Sequence, residues 1–187
     1  MKTKYTNSSP LNISSLLDKM HTEDNRNIRI MRNAKWLMFI LSPVYLLIFN
    51  IGPADEMNIY LRLSGVSFAL AFLIFAIIFT KYLKIYRSVD YGQPTVLMLT
   101  NAVKRYKMQL SKIALSIIPI IFVNLGVTLI SIGEEGERLF EGHYLKFQLI
   151  YWPMIAGALF IGLLIWRKKQ KPLKDAAEKL LKDIQSE

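Results

Sequence analysis

The chain has 187 residues, 52% of them hydrophobic, with 24 Lys and Arg against 14 Asp and Glu and a net charge of +10. It contains no cysteine, which excludes disulfides, thiolate metal sites, cysteine nucleophiles and S-acylation. Four apolar runs without a charged residue, near 36–51, 63–80, 113–132 and 147–166, leave no room for a soluble domain of ordinary size.

Residues 1–33 are polar and read as a cytoplasmic N-terminal segment. Ser9 and Pro10 open a short helix there, with Ile13, Leu16, Leu17 and Met20 on one face. The first apolar run lies too far from the start for an ordinary cleaved signal peptide, and it reads as an uncleaved signal anchor. A helix of about 20 residues crosses the roughly 30 Å hydrocarbon core of a bilayer. The expected fold is therefore all-α, a polytopic membrane protein with a four-helix transmembrane bundle over 34–166 and helical cytoplasmic extensions.

Charge sets the orientation. Seven basic residues precede the first run, seven lie between the second and third, and seven follow the fourth. Only Arg62, Arg138 and Lys146 fall on the other side. Basic residues near span ends stay in the cytoplasm, so both termini and the middle segment are expected inside, in a bacterial inner membrane. This division makes the excess charge topogenic, attracted to anionic headgroups, and argues against nucleic acid as a partner.

Within the spans, Trp36, Tyr60, Tyr151, Trp152 and Trp166 sit at the ends, where amphipathic rings belong. Small residues four apart, Gly65 with Ala69, Ser67 with Ala71 and Ala158 with Gly162, permit close helix approach, in one bundle or in a homo-oligomer. Pro43 and Pro119 should bend their helices. Pro153, near the outer start of the last span, should cost least. Asn124 is the most polar residue near the midplane, and depth counting pairs it with Tyr45 or Ser67. No Asp, Glu, Lys, Arg or His lies in any span core, which argues against a proton-coupled carrier or pump.

The segment 81–112 reads as a cytoplasmic helical hairpin. Apolar rhythm continues past Thr80, Gly92 reads as a helix C-cap, and Pro94 as the first residue of a helix running into the third span. Val96, Leu99, Val103, Tyr106 and Leu110 fall within about 80° on a helical wheel. The second arm is longer than the first, so it must bend, dip or overhang. Residues 167–187 form a last amphipathic helix opened by Pro172, with Leu173, Ala177, Leu180 and Ile184 on one face. Asp175 with Lys179, and Glu178 with Lys182, are helix-supporting pairs. These stripes either rest on lipid or pack beneath the bundle, or they dock a soluble partner through Val96, Leu99, Val103, Tyr106, Leu173, Leu180 and Ile184.

No catalytic constellation emerges. His21 and His143 fall on opposite sides of the membrane, and no phosphate loop, HExxH or GxSxG is present. The acidic cluster Glu134, Glu135, Glu137 and Glu141 reads as a solvated loop. No cofactor and no enzymatic activity are expected.

Two stretches carry a resemblance: Tyr91, Gly92, Gln93 and Pro94 through Lys104, Arg105, Tyr106 and Lys107, and Lys171, Pro172 and Leu173 through Leu180, Leu181 and Lys182. Here the chain resembles small four-span inner-membrane proteins of Bacteroidota-type bacteria, which accompany extracytoplasmic-function sigma factors. The resemblance implies a membrane-bound regulator. One departure is that no cytoplasmic segment is long enough to be an independent sigma-binding domain, so several segments would have to act together. A small oligomeric transport or pore subunit is the alternative expectation.

The topology is testable because the chain has no native cysteine. Single Ser8→Cys and Ser186→Cys substitutions should resist an impermeant thiol reagent in intact cells, and Glu135→Cys should react. Labelling of Ser8→Cys in intact cells would overturn the orientation.

Overall fold

The computed structural model describes residues 13–51, 58–108, 110–135 and 143–186, with side chains at 110–113, 134–135 and 143 left aside. The described residues are predominantly helical, without a strand. The elements are α1 (Ile13–Ile48), α2 (Ile59–Arg87), α3 (Thr95–Tyr106), α4 (Leu110–Glu135), α5 (His143–Ile165) and α6 (Lys171–Ser186). A π-helical turn, Trp166–Gln170, joins α5 to α6.

Helix α1 is longer than the sequence pattern implied. It merges the amphipathic N-terminal stretch and the first apolar run into one rod of 36 residues. No Gly or Pro occurs between Ile13 and Ser42, so nothing breaks the helix at the expected boundary near residue 33. The expected cap at Ser9 and Pro10 lies outside the described residues.

Three helical stretches are long and apolar enough to cross a membrane: α2, the Ala114–Gly133 part of α4, and the continuous Tyr144–Ser186 helix. The apolar part of α1, residues 36–48, is only about 20 Å long at 1.5 Å per residue. It does not by itself match the roughly 30 Å core.

Small residues make α2 the central helix. Ser64, Gly65, Ser67, Ala69, Ala71 and Ala76 are all buried. On one side, Ser42 Oγ of α1 donates to the Ala69 carbonyl at 2.9 Å. A Cβ on Gly65 would collide with the Cβ of Phe49, so only glycine admits α1 at this distance. On the other side, Ser67 Oγ donates to the Phe122 carbonyl of α4 at 2.8 Å. The Phe68 ring fills the space between Gly126 of α4 and the rings of Tyr45 and Phe49. In lipid such packing replaces the hydrophobic drive that water supplies to soluble bundles.

Helix α5 is held less closely. Tyr151 Oη donates to the Ile120 carbonyl at 2.9 Å, and Asn124 Nδ2 donates to Gln148 Oε1 at 2.9 Å. Beyond these, Gly157 and Gly162 meet no atom within 4 Å of a built Cβ, so the small residues of α5 are not packed within this chain as those of α2 are. Pro153 also differs from expectation. Because α5 begins at His143, Pro153 lies ten residues inside it, not at its first turn.

The hairpin departs from the pattern at both ends. Helix α2 stops at Arg87 with Ser88 as C-cap, φ −81°, so Gly92 is not a left-handed cap. Gly92 instead donates its N–H to Asp90 Oδ1 at 2.8 Å in a side-chain-closed turn. Pro94 is the N-cap of α3, so the helix begins at Thr95, one residue later than expected. The longer arm is broken, not continuous: α3 ends at Tyr106 and Lys107 is extended, with ψ 131°. The cause is visible at Trp166, whose Nε1 donates to the Tyr106 carbonyl at 2.9 Å. That oxygen is the one a continuing helix would offer to residue 110. At the opposite junction, Pro172 has no N–H to offer Lys168, and the chain widens into the π turn just before it, with Lys171 N–H bonded to the Trp166 carbonyl.

Candidate functional site

The three amphipathic stripes pack on one another at the basic end of the bundle. Leu16 and Met20 of α1, Met98, Leu99, Ala102 and Tyr106 of α3, and Leu173, Ala177 and Leu180 of α6 form a single buried cluster. Each stripe is too narrow to be stable alone in water, and each closes the apolar face of the other two.

Among the seven residues expected at a docking face, Leu99 and Tyr106 are fully buried and Leu173 and Leu180 nearly so. Val103 and Ile184 are partly buried against the same cluster. Val96 is 41% exposed, and beside it Leu97 is 49% exposed. The intramembrane polar set is not brought together. Asn124 takes Gln148 on α5, while Ser67 takes a backbone carbonyl and Tyr45 lies among the rings of Phe68 and Phe72. Depth counting could not supply the direction of Asn124 around the α4 axis, which faces Gln148 of α5 and not Tyr45 or Ser67.

A buried acid organises the cluster. Asp24 is 2% exposed and lies one turn beyond Met20 on α1. Its Oδ1 accepts from Tyr106 Oη at 2.6 Å, and its Oδ2 from Tyr91 Oη at 2.6 Å. Arg105 Nη2 completes the shell at 2.9 Å from Oδ2. The carboxylate thus ties α1 to both ends of the α3 segment. Burying it without such partners would cost several kcal/mol. His21 stands on α1 with its ring edge-on to Tyr91 at 5.4 Å.

Sequence reasoning missed Asp24, Arg105, Tyr91 and Gln148. A signal existed for Asp24, which continues the stripe of Leu16 and Met20 at helical spacing. An acid at an apolar register position implies a partner, though not which one.

The electrostatics follow from this geometry. Burial pushes the Tyr106 and Tyr91 hydroxyls well above the ordinary 10.0, and the adjacent Asp24 carboxylate pushes them further. Burial also raises the Glu23 carboxyl, against the pull of Arg26, which bonds it at 2.6 Å, and of Lys169. On α6, Glu178 pairs with Lys174 at 3.0 Å, not with the expected Lys182. That exposed pair contributes little. Among the described residues no group of three or more His, Asp or Glu is placed to hold a metal ion.

Two outcomes follow from the Asp24 geometry. Asp24→Ala leaves Arg105 buried without its carboxylate and should lower hydrogen-exchange protection of α3 and α6 by about 3–5 kcal/mol. Protection in α2 and α4 should not change. Unchanged α3 protection would show that the carboxylate does not hold the cluster.

The second outcome concerns pH. A tyrosine whose folded pKa is raised stabilises the fold fully below its unfolded value, near 10, and loses that contribution as pH rises through the folded value. The tyrosinate absorbance that Tyr91→Phe and Tyr106→Phe remove should therefore appear only well above pH 10, together with release of α3. Titration of that signal near its ordinary value would refute the buried placement.

Comparison of the chain with protein-family models, with curated proteins and with solved structures finds no match.

Proposed function

We propose that this is a non-enzymatic, multi-pass protein of a bacterial inner membrane, a regulator or scaffold whose basic end is read by a soluble cytoplasmic partner. A sigma factor is the partner class that the sequence resemblance implies. On this reading α1 is the fourth span, with both termini in the cytoplasm. Lys35 Nζ sits 4.5 Å from the Trp36 ring centroid, which suits a lysine lifting its charge to an interface while its stem stays in apolar surroundings. The close packing of α1 along α2 supports its crossing as well.

One observation carries the proposal. Segments from the start, middle and end of the chain converge into one module with its own apolar core and a buried ion pair. Such a module goes beyond what anchoring requires, since amphipathic helices anchor by lying singly on headgroups. Because most of the apolar stripe faces inward, the surface offered to a partner is the outer edge of α3, where Val96 and Leu97 are exposed.

The test is a photoreactive residue at position 97, with position 161 of α5 as control. A single soluble protein should crosslink from 97 and not from 161. Val96→Glu with Leu97→Glu should reduce partner retention by about tenfold or more, because a carboxylate buried at an interface is costly. Helicity should be unchanged, as both positions are exposed. Full retention of the partner by this variant would overturn the reading.

A further inference from the structure

Between the end of α2, the turn at 88–94 and α3 lies a cavity of about 310 Å³. Its walls differ in chemistry. Lys104 and Arg105 supply positive charge, while Ile85, Val89 and Met98 supply apolar surface. Asp90, Gln93 and Asn101 supply hydrogen-bonding groups. The Asp90 carboxylate is fixed by the Gly92 N–H at 2.8 Å. The two amides approach each other only to 3.5 Å, a stretched contact that leaves both with bonding capacity for a ligand.

The cavity has a definite depth. Ile85 lies five residues beyond Thr80, where the apolar run of α2 ends, or about 7.5 Å along a helix. The headgroup layer on each side of the hydrocarbon core is about 5–8 Å thick. If α2 crosses the bilayer, the Ile85 wall of the cavity stands at headgroup level and the Asp90 side lies farther out.

We propose that this cavity binds a phosphate ester that carries a hydrogen-bond donor at its far end, as an ethanolamine or glycerol headgroup does. Lys104 and Arg105 face the phosphate, and Asp90, Gln93 and Asn101 receive the ammonium or hydroxyl. Ile85, Val89 and Met98 cover the carbon between them. The Asp90 carboxylate beside the two cations favours a zwitterion or a polyol ester over an anion without a donor at its far end. Arg105 belongs to the Asp24 shell as well, and its five N–H donors form a fork that serves more than one acceptor. Occupancy therefore stabilises α3 by linkage. The same headgroup chemistry arises from a lipid in the leaflet or from a soluble phosphate ester.

The experiment uses the full chain in detergent, with native mass spectrometry of phosphatidylethanolamine, phosphatidylglycerol and phosphatidylcholine. Calorimetry with phosphoethanolamine and glycerol phosphate forms the soluble arm. One lipid per chain should be retained, with phosphatidylcholine weakest because methylation removes its N–H donors. Lys104→Ala and Asn101→Leu should each weaken binding about tenfold, the size of a lost charge-assisted or donor contact. Both side chains are exposed, so folding should survive, and circular dichroism checks it. Lys179→Ala, on α6 and outside the cavity, should change nothing. Retention of lipid without binding of the free esters assigns the leaflet as source, and equal binding of the free esters assigns a soluble one. Equal losses for Lys179→Ala and Lys104→Ala, phosphatidylcholine held as well as phosphatidylethanolamine, or no saturable binding of any probe would each overturn the site.

Discussion

A carboxylate removed from water must be surrounded, and in this protein that requirement falls on Asp24. It sits on the apolar face of α1, where solvent cannot reach it. Two tyrosine hydroxyls and one guanidinium meet its two oxygens, and all three come from the α3 segment or the turn before it. The apolar contacts of Met20 with α3 and α6 would bring these helices together in many registers. The directional bonds of Asp24 select one. A buried ion pair adds little net stability, so its contribution here is the choice of arrangement. The consequence runs onward. With Tyr106 held down, its carbonyl meets the Trp166 indole, α3 ends there, and the chain turns into α4.

The apolar part of the molecule follows a different rule. Without water between the helices, association depends on how closely backbones approach. The buried small residues of α2 allow α1 on one side and α4 on the other, with Phe68 filling the gap that Gly126 leaves. Helix α5 is attached mainly through polar groups, Gln148 and the Tyr151 hydroxyl, and its own glycines stay open. The firmest attachment of the Tyr144–Ser186 rod is at its far end, where α6 enters the buried cluster. The basic-end module thus holds together a bundle whose last helix is loosely packed.

This arrangement bears on function. The module is assembled from three segments distant in the chain, which share one apolar core. Tyr91 of the α2–α3 turn and Arg105 of α3 meet on Asp24 of α1, so the three segments share one carboxylate. The exposed edge at Val96 and Leu97 belongs to the same short helix.

Much of the fold was legible because hydropathy and helical spacing are local properties. The apolar runs of α2, α4 and α5 can be read directly, since satisfying a backbone in lipid leaves few options besides a helix. The stripes Leu16–Met20, Leu99–Tyr106 and Leu173–Leu180 can be read from spacing alone, and each is buried as its pattern requires. What the stripes meet could not be read, because an apolar face specifies a need for cover without naming what covers it. The continuity of α1 across the polar boundary near residue 33 also had no local marker, since polarity changes there while helical propensity does not. The pairing of Asp24 with Arg105, and of Asn124 with Gln148, depends on rotation about helix axes that only the packed bundle defines. The sequence by itself determined the helical class, which faces are apolar and where charge is concentrated, but not where α1 continues or where α3 breaks. Tertiary structure alone decided which of those faces close on one another, because that choice rests on directional bonds between residues 24 to 86 positions apart.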